Sequence, residues 1–380
     1  MGRATKGCGC AGAILVVLLI AAGFAGWKYV LPWWKSKPPP PSGGELQVHI
    51  LDVGPVNGDS ILIISPAGKT VLVDAGDAGK GKVVLDALKR YNVQQIDYLI
   101  ATHPHPDHMG AIDEVIKATK VLNVIDNGLA PAGWQPTPSP TPAKVLSNKK
   151  PVARKPGKRP SVTRFYEEYK EAVSQSGANY QTGEPGNKFD LGGGALLTIL
   201  APSQPVFTKE QMKAGGNEPN ANSIVARLDY GDFSMLLPGD AEHQTEQRML
   251  TKDLNLQADV LKVSHHSSKY ATADDFLARV KPGVAIVSCG EWNRYGHPAQ
   301  VVLDRLKAAG IKLYRTDLQG EITITSRGKE DDYKITTAKE AKSDLWEGRL
   351  AQKDDSSRAG FIAYGDFGPP PKAPKKVNGK

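Results

Sequence analysis

The spacing of hydrophobic positions changes along the chain, and each change predicts an element. Apolar and polar residues alternate over residues 46–50, whereas unbroken apolar runs fill residues 96–101 and 233–237. Residues 82–91 show the spacing of an amphipathic helix. The other predicted strands are 60–64, 70–73, 121–125, 196–200, 224–230, 259–263, 284–288, 312–315 and 321–325, and the other helices are 110–117, 165–176, 242–250 and 301–309. Strands and helices recur in order, which predicts a layered α/β domain.

The first 44 residues do not follow this pattern. Residues 11–25 carry no charge, and aromatic residues at positions 27, 29, 33 and 34 extend the apolar character. This predicts a single-pass membrane anchor over residues 1–34, with the domain outside the cytoplasm. A cleaved signal peptide, which would give a secreted protein, is the alternative. Four prolines and Ser-Gly-Gly make residues 35–44 a stiff spacer.

Two polar regions contribute no predicted core. Residues 127–163 contain alternating prolines and then a basic run without acidic residues, so they form an insertion within the domain at 45–326. Residues 327–380 form a polar C-terminal tail. The insertion and the net charge of +8 fit either an anionic partner, such as DNA or lipid, or a solvated basic surface. The sequence indicates no protein partner.

Chemistry concentrates after the strand at 96–101. Three of the eight histidines, His103, His105 and His108, fall within six residues and flank Asp107. Extended spacing places the first two on one side, and the turn displaces Asp107 and His108, so the four side chains can converge on two adjacent points. Imidazole and carboxylate ligands suit two divalent ions, with zinc expected and manganese as the alternative.

Two later strands also end in potential ligands. Asp240 follows the apolar strand 233–237 and is the candidate carboxylate for bridging two ions. His265 and His266 follow the strand 259–263. We assign His265 as a metal ligand and His266 as its polar partner, although the sequence alone does not choose between them. Alone, Asp240 would be interpreted as a turn residue.

These motifs carry a resemblance to a known family. His-x-His-x-Asp-His resembles the signature of the metallo-β-lactamase superfamily, and the surrounding motifs occur in the order seen in ComEC-like competence proteins. They are Leu51-Asp52-Val53-Gly54, Gly58-Asp59-Ser60, Val73-Asp74-Ala75-Gly76, Asn222-Ser223, Leu237-Pro238-Gly239-Asp240, Lys262-Val263-Ser264-His265-His266-Ser267 and Tyr295-Gly296-His297-Pro298.

The resemblance implies a four-layer αββα sandwich of the metallo-β-lactamase type. It places Asp74 behind the metal loop and His297 at the mouth, where His297 would contact substrate or donate a proton. Asp59 and His266 are further candidates beside the ligands or the substrate. Asn222, or a water, could complete the first ion's ligands together with His103, His105 and Asp240.

Three departures from the family pattern bear on the site. No histidine lies between His108 and His243, so the first ion would be held loosely. The loop 54–59 is longer than the family's Val-Gly-Gln-Gly-Asp and borders the site, so substrate preference could differ. Serine stands at 267 and 268, where the family usually has a glycine.

The ligand set predicts a hydrolase that uses a hydroxide held between two cations, with Asp107 and His297 as catalytic residues. A membrane-tethered phosphodiesterase, including a nuclease, is the first hypothesis. A hydrolase of a small ester, lactone or phosphorylated metabolite is the second, and a binding protein without turnover is the third. No serine has the strand-turn-helix setting of a hydrolase nucleophile.

Overall fold

The computed structural model describes residues 44–134, 162–211, 218–292 and 295–350. The predicted anchor at 1–34, nearly all of the spacer and most of the basic insertion lie outside these ranges. Within them, none of the helices has the length and apolar character needed to cross a membrane.

Fifteen strands occur in the described ranges, many at the positions that the hydrophobic pattern predicts. They are β1 Leu46–Ile50, β2 Ile61–Ile64, β3 Thr70–Val73, β4 Gln95–Ala101, β5 Lys120–Asp126, β6 Asn179–Thr182, β7 Lys188–Gly192, β8 Ala195–Ala201, β9 Val225–Tyr230, β10 Phe233–Leu237, β11 Val260–Lys262, β12 Val284–Val287, β13 Lys312–Arg315, β14 Ile322–Ser326 and β15 Tyr333–Thr337.

The helices of the described ranges lie mainly between strands. They are α1 Gly81–Arg90, α2 Pro106–Met109, α3 Ile112–Ala118, α4 Val162–Ser176, α5 Glu218–Ala221, α6 His243–Leu250, α7 Asp274–Val280, α8 Gln300–Ala308 and α9 Thr316–Gln319, with 3₁₀ turns at Lys209–Gln211 and Ser264–Ser267.

The strands form two sheets. The first has the order β15-β14-β1-β2-β3-β4-β5-β6, and the second has the order β13-β12-β11-β10-β9-β8-β7. Strands β3 to β6 run parallel in the first sheet, as do β10 to β13 in the second. Functional side chains can therefore gather at the carboxyl ends of neighbouring parallel strands in both sheets.

The alternation along each strand divides the apolar residues among three cores. Ile61 and Ile63 of β2 enter a core shared by both sheets, whereas Leu62 between them faces a core shared with α1, α3 and α4. A third core joins the second sheet to α6, α7 and α8. The layers are therefore helix, sheet, sheet and helix, which confirms the predicted two-sheet α/β sandwich.

The structure differs from the sequence prediction at several boundaries. The helix predicted at 110–117 is α3, which begins at Ile112, and a separate short helix, α2, precedes it within the predicted metal loop. The helix predicted from residue 165 begins at Val162. Strands β6, β7 and β15 were not predicted from the sequence.

The domain also continues past residue 326, where the sequence predicts only a tail. Strand β15 pairs with β14, and Tyr333 and Ile335 pack against the core between the sheets. Leu345 and Trp346 pack against the third core, and Arg315 donates to the Leu345 carbonyl at 2.8 Å. The alternation over residues 333–337 explains why this polar stretch forms a strand.

Candidate metal centre

The first sheet contributes the loop that follows β4. The strand ends at Ala101, and the His105 amide donates to the His103 carbonyl at 2.9 Å, which turns the chain. Pro106 then opens the short helix α2, which carries Asp107 and His108. The Nε2 of His103 lies 3.0 Å from the Nδ1 of His105. The loop therefore carries the first four predicted ligands and places His103 and His105 in contact.

Asp74 supports this loop from the end of β3. Its carboxylate accepts from the Thr102 amide at 2.8 Å, the Thr102 hydroxyl at 2.8 Å and the His108 Nδ1 at 2.7 Å. Because the Nδ1 of His108 donates to Asp74, the Nε2 of a neutral His108 ring faces the other side with a lone pair. This is the supporting position that the resemblance implies for Asp74.

Asp240 joins the two sheets. It follows β10, is almost fully buried, and its oxygens lie 3.2 Å from His108 Nε2 and 3.9 Å from His103 Nε2. From the second sheet, the Nε2 atoms of His265 and His266 each lie 3.6 Å from Asp240 Oδ2. The Asp240 carboxylate therefore lies between histidines that follow strands of the first sheet and histidines that follow strands of the second.

The histidine pair after β11 has an unusual backbone. His265, His266 and Ser267 have φ of 47°, 52° and 67°, three successive left-handed residues without a glycine. Such conformations cost L-residues about 1–2 kcal/mol each. The turn separates the two rings, so adjacent residues have different surroundings.

His266 is the buried member of the pair. Its Nδ1 donates to the Ser288 carbonyl at 2.8 Å, and its Nε2 lies 3.6 Å from Asp107 Oδ2. His265 is more exposed, and its Nδ1 lies 3.4 Å from a Glu242 oxygen. His266 belongs to groups whose potential ligand atoms lie within 4.8 Å of one another, whereas neither His265 nor His105 belongs to any of them.

Four such groups occur in the described residues. Each group contains at least two of the residues His108, Asp240, Asp59 and His266. The groups are His103, His108 and Asp240; Asp107, His108 and His266; Asp59, Asp74 and His108; and Asp59, Asp240 and His266. Three buried atoms, His108 Nε2, Asp240 Oδ1 and His266 Nε2, make no hydrogen bond of good geometry. Imidazole nitrogens and carboxylate oxygens left without partners at one point fit divalent cations.

The electrostatics of the site also favour the binding of cations. Burial disfavours charge on His266, but Asp240 and Asp59 outweigh it and raise its pKa to about 10. Burial opposes charge on His108 too, and Asp240 and Asp74 raise its pKa well above the usual range. Burial is likewise outweighed at Asp107 and Asp240, whose pKa values nearby histidines lower. The carboxylates therefore retain a charge that either protons or metal cations can balance.

Asp59 and Asn222 have different surroundings. Asp59 forms a buried ion pair with Lys262 of β11, and its Oδ1 lies 3.5 Å from His266 Nδ1. The Asn222 amide holds Phe207, accepting from its backbone nitrogen and donating to its oxygen, each at 2.9 Å. Both ends of the Asn222 amide therefore hold this loop.

His297 lies beside the group with a partner that the sequence did not indicate. Its ring centroid is 5.3 Å from that of His265, and Tyr295, 60% exposed, stacks on it at 5.7 Å. Burial and the neighbouring histidines lower the pKa of His297 to about 3. Asn57, from the lengthened loop, places its Nδ2 3.3 Å from His297 Nδ1. Asn57, Lys262 and Glu242 are among the site residues that sequence analysis missed.

Known proteins with similar sequences also have metallo-β-lactamase features. Residues 53–187 match the profile of the metallo-beta-lactamase superfamily. The chain is 28% identical over 309 residues to ComE operon protein 3 of Bacillus subtilis, covering 77% of this chain and 34% of that protein. It is 27% identical over 314 residues to competence protein ComA of Neisseria gonorrhoeae, covering 82% of this chain and 37% of that protein.

The chain thus spans about a third of the length of these relatives. Among solved structures, the metallo-beta-lactamase fold protein YhfI of Bacillus subtilis matches with a TM-score of 0.42 and 13% identity, covering 71% of this chain and 95% of that one. Residues 53–187 thus match the metallo-β-lactamase superfamily, and the chain, with its two-sheet sandwich and its histidine and aspartate groups, is similar to competence proteins of that superfamily.

Proposed function

We propose that this domain hydrolyses phosphodiester bonds with two divalent metal ions, zinc being the expected metal and manganese the alternative. The observation that carries the proposal is the position of Asp240 between histidines of both sheets. A shared carboxylate of this kind is what a pair of ions needs in order to act on one oxygen. When bound, the ions supply Lewis acidity and lower the pKa of water.

The two ions would draw on both sheets. We assign His103, His105 and Asp240 to the first ion, and Asp107, His108, Asp240 and His266 to the second. His266 replaces His265 in this assignment because its Nδ1 donates to Ser288, which leaves Nε2 of a neutral ring as a ligand atom next to Asp107 and Asp240. The first ion has fewer protein ligands and should be lost more easily.

The residues around the ions have separable tasks. Asp74 and Asp59 hold the ligand side chains in place through His108 and His266. His297, kept neutral by burial and neighbouring histidines, can donate a hydrogen bond to the substrate. Exposed Tyr295 beside it offers an aromatic face at the mouth. These features suit an anionic substrate whose oxygens accept hydrogen bonds.

Phosphodiesters are favoured over small esters by the similarity to competence proteins and by the net charge of +8. DNA is the phosphodiester that we propose. A small ester, lactone or phosphorylated metabolite is the second candidate, because the lengthened loop 54–59 lies beside His297.

We also propose that the N-terminal apolar segment tethers the domain to a membrane, with the domain outside the cytoplasm. The proposal rests on the uncharged run and its aromatic flank. Membrane fractionation with a high-salt wash tests it: the full chain should stay in the pellet, and a chain starting at residue 42 should not. A native N-terminus near Gly26 would indicate a cleaved signal instead.

The substrate proposal is tested with the full chain loaded with zinc or manganese. Single-stranded DNA, double-stranded DNA and bis-p-nitrophenyl phosphate are compared with a lactone and a phosphomonoester. Asp107→Ala serves as the inactive control, and Asp86→Asn, on the exposed face of α1, as the matched active one. Turnover of lactone or monoester without any phosphodiester cleavage would replace the phosphodiesterase proposal with the second candidate.

A further inference from the structure

We infer that Asn57 is a positioning residue that fixes the ring proton of His297 on Nε2; the consequence for catalysis rests on the proposed substrate-side role of His297. Asn57 lies in the loop between β1 and β2 and is buried. Its Nδ2 approaches His297 Nδ1 to 3.3 Å. The loop that departs from the family pattern therefore reaches a proposed catalytic residue directly.

The orientation of the Asn57 amide follows from its other neighbour. The backbone nitrogen of Gly290 donates to Asn57 Oδ1 at 3.1 Å. A backbone amide can only donate, so the oxygen of Asn57 must face Gly290 and the NH₂ group must face the His297 ring.

The tautomer of His297 follows in turn. The NH₂ group of asparagine can only donate, so the Nδ1 of His297 must accept and cannot carry a proton. A neutral imidazole without a proton on Nδ1 carries it on Nε2. His297 is thereby fixed as a donor through Nε2, which suits an acceptor such as a phosphoryl oxygen.

Backbone contacts hold Asn57 at this point. The Trp292 amide donates to the Pro55 carbonyl at 2.8 Å, and the Ser288 hydroxyl donates to the Gly58 carbonyl at 2.9 Å. A Cβ atom at Gly290 would lie 2.2 Å from the Pro55 oxygen. Only glycine permits this approach, so the position of Asn57 is set by the fit of two backbone segments.

The surroundings of the ring make its tautomer consequential. The centroid of His297 lies 5.3 Å from that of His265 and 6.3 Å from that of His266, and Tyr295 stacks against it on the exposed side. The ring thus stands between the proposed ion-binding residues and the mouth. With the proton on Nδ1, Nε2 would be an acceptor and would oppose an anionic oxygen.

The test is nitrogen NMR on the full chain, labelled with ¹⁵N-histidine and loaded with zinc, with His297→Gln identifying the signals of this ring. We expect an unprotonated Nδ1 and a protonated Nε2. Asn57→Asp replaces the donor by an acceptor, so the proton should move to Nδ1 and kcat should fall about 100-fold, a typical loss when one positioned hydrogen-bond donor to the transition state is removed. Asn179→Asp, on the exposed edge strand β6, is the matched control and should change neither.

The outcomes separate the two proposals. A protonated Nδ1 in the unsubstituted chain overturns the inference, as does an Asn57→Asp variant with unchanged spectrum and turnover. Asn57→Gln, which keeps the donor, should preserve the tautomer and recover part of the activity, whereas a purely structural role would leave both substitutions with the original tautomer. If the tautomers behave as expected but no phosphodiester is cleaved, the inference stands and the proposed function fails.

Discussion

The two sheets contribute to the candidate site in different ways. The first sheet supplies a contiguous loop, from His103 to His108, that begins at the end of a buried strand and is supported locally by Asp74. The second supplies Asp240 from one loop and the histidine pair from another, with three left-handed residues in succession. One half is encoded in a short motif, and the other exists only after several loops have packed together.

This difference predicts which property a substitution changes in each half of the site. In the first half, supporting hydrogen bonds come from a neighbouring strand of the same sheet, so substitutions there should act on metal affinity. In the second half, the backbone conformation itself places the ligand atoms, so glycine and serine choices should act on stability. Asp240 belongs to both, because it contacts histidines of each half.

Removing the shared carboxylate should have the largest effect. Asp240→Asn keeps the shape but loses the charge that attracts cations, so both ions should bind weakly. Substituting a residue that only supports a ligand typically lowers activity about 10- to 100-fold. We expect the loss in Asp240→Asn to be larger. Elemental analysis after dialysis, together with turnover, measures this. Two retained ions would show that Asp240 does not hold them together.

The second largest effect should come from Asp74, which supports the histidine loop of the first sheet. Asp74→Asn keeps a residue that tolerates the left-handed conformation at this position, where φ is 59°, but presents NH₂ to one of its three donors. We expect metal affinity to fall about 10- to 100-fold. Competition with a zinc chelator measures it. Asp97→Asn, at the opposite end of β4 beside Thr70, is the control and should leave zinc affinity unchanged.

The histidine pair sharpens the assignment in the second half. His266→Ala should lower the metal content by one ion, because its Nε2 lies next to Asp107 and Asp240. His265→Ala should leave the content unchanged, as should His49→Ala, because His49 bonds Thr323 and stacks on Tyr91 away from the site. Loss of an ion in His265→Ala alone would restore the assignment made from the sequence.

The smallest effect concerns the strained turn. Ser267→Gly should raise the free energy of unfolding by about 1 kcal/mol, because glycine adopts a φ of 67° without the cost borne by L-residues. Ser268→Gly is the matched control: Ser268 has φ of −64°, so glycine there should destabilise by increasing the entropy of the unfolded chain. Urea unfolding of the metal-free protein measures both. If both substitutions changed the free energy of unfolding equally, backbone strain at Ser267 would not explain the effect.

The sequence predicts the parts of the molecule whose signal is local. Apolar runs reveal the central strands, and the spacing of His103, His105, Asp107 and His108 reveals the first half of the site. Strand β6 is not predicted from the sequence because all four of its residues are exposed, and β15 is not predicted because its alternation is short and polar. Edge strands of this kind lack the apolar pattern on which sequence prediction depends.

The second half of the site depends on information that no short motif contains. His265 and His266 are adjacent and chemically identical, and only the left-handed turn decides which ring is buried. Asn57 meets His297 across 240 positions of the chain. Resemblance to a family could indicate that His297 matters, but not which side chain determines its tautomer.

The contact between the lengthened loop and residues 288–292 also bears on the order in which the molecule assembles. Gly58 and Ser288 are 230 positions apart, and closing so large a loop is entropically costly until both sheets exist. The first-sheet histidines can gather early, since their supports are near in sequence. The loop segment that carries Asn57 can take its position only after β12 has formed, so the histidine loop of the first sheet should become organised before the substrate pocket does.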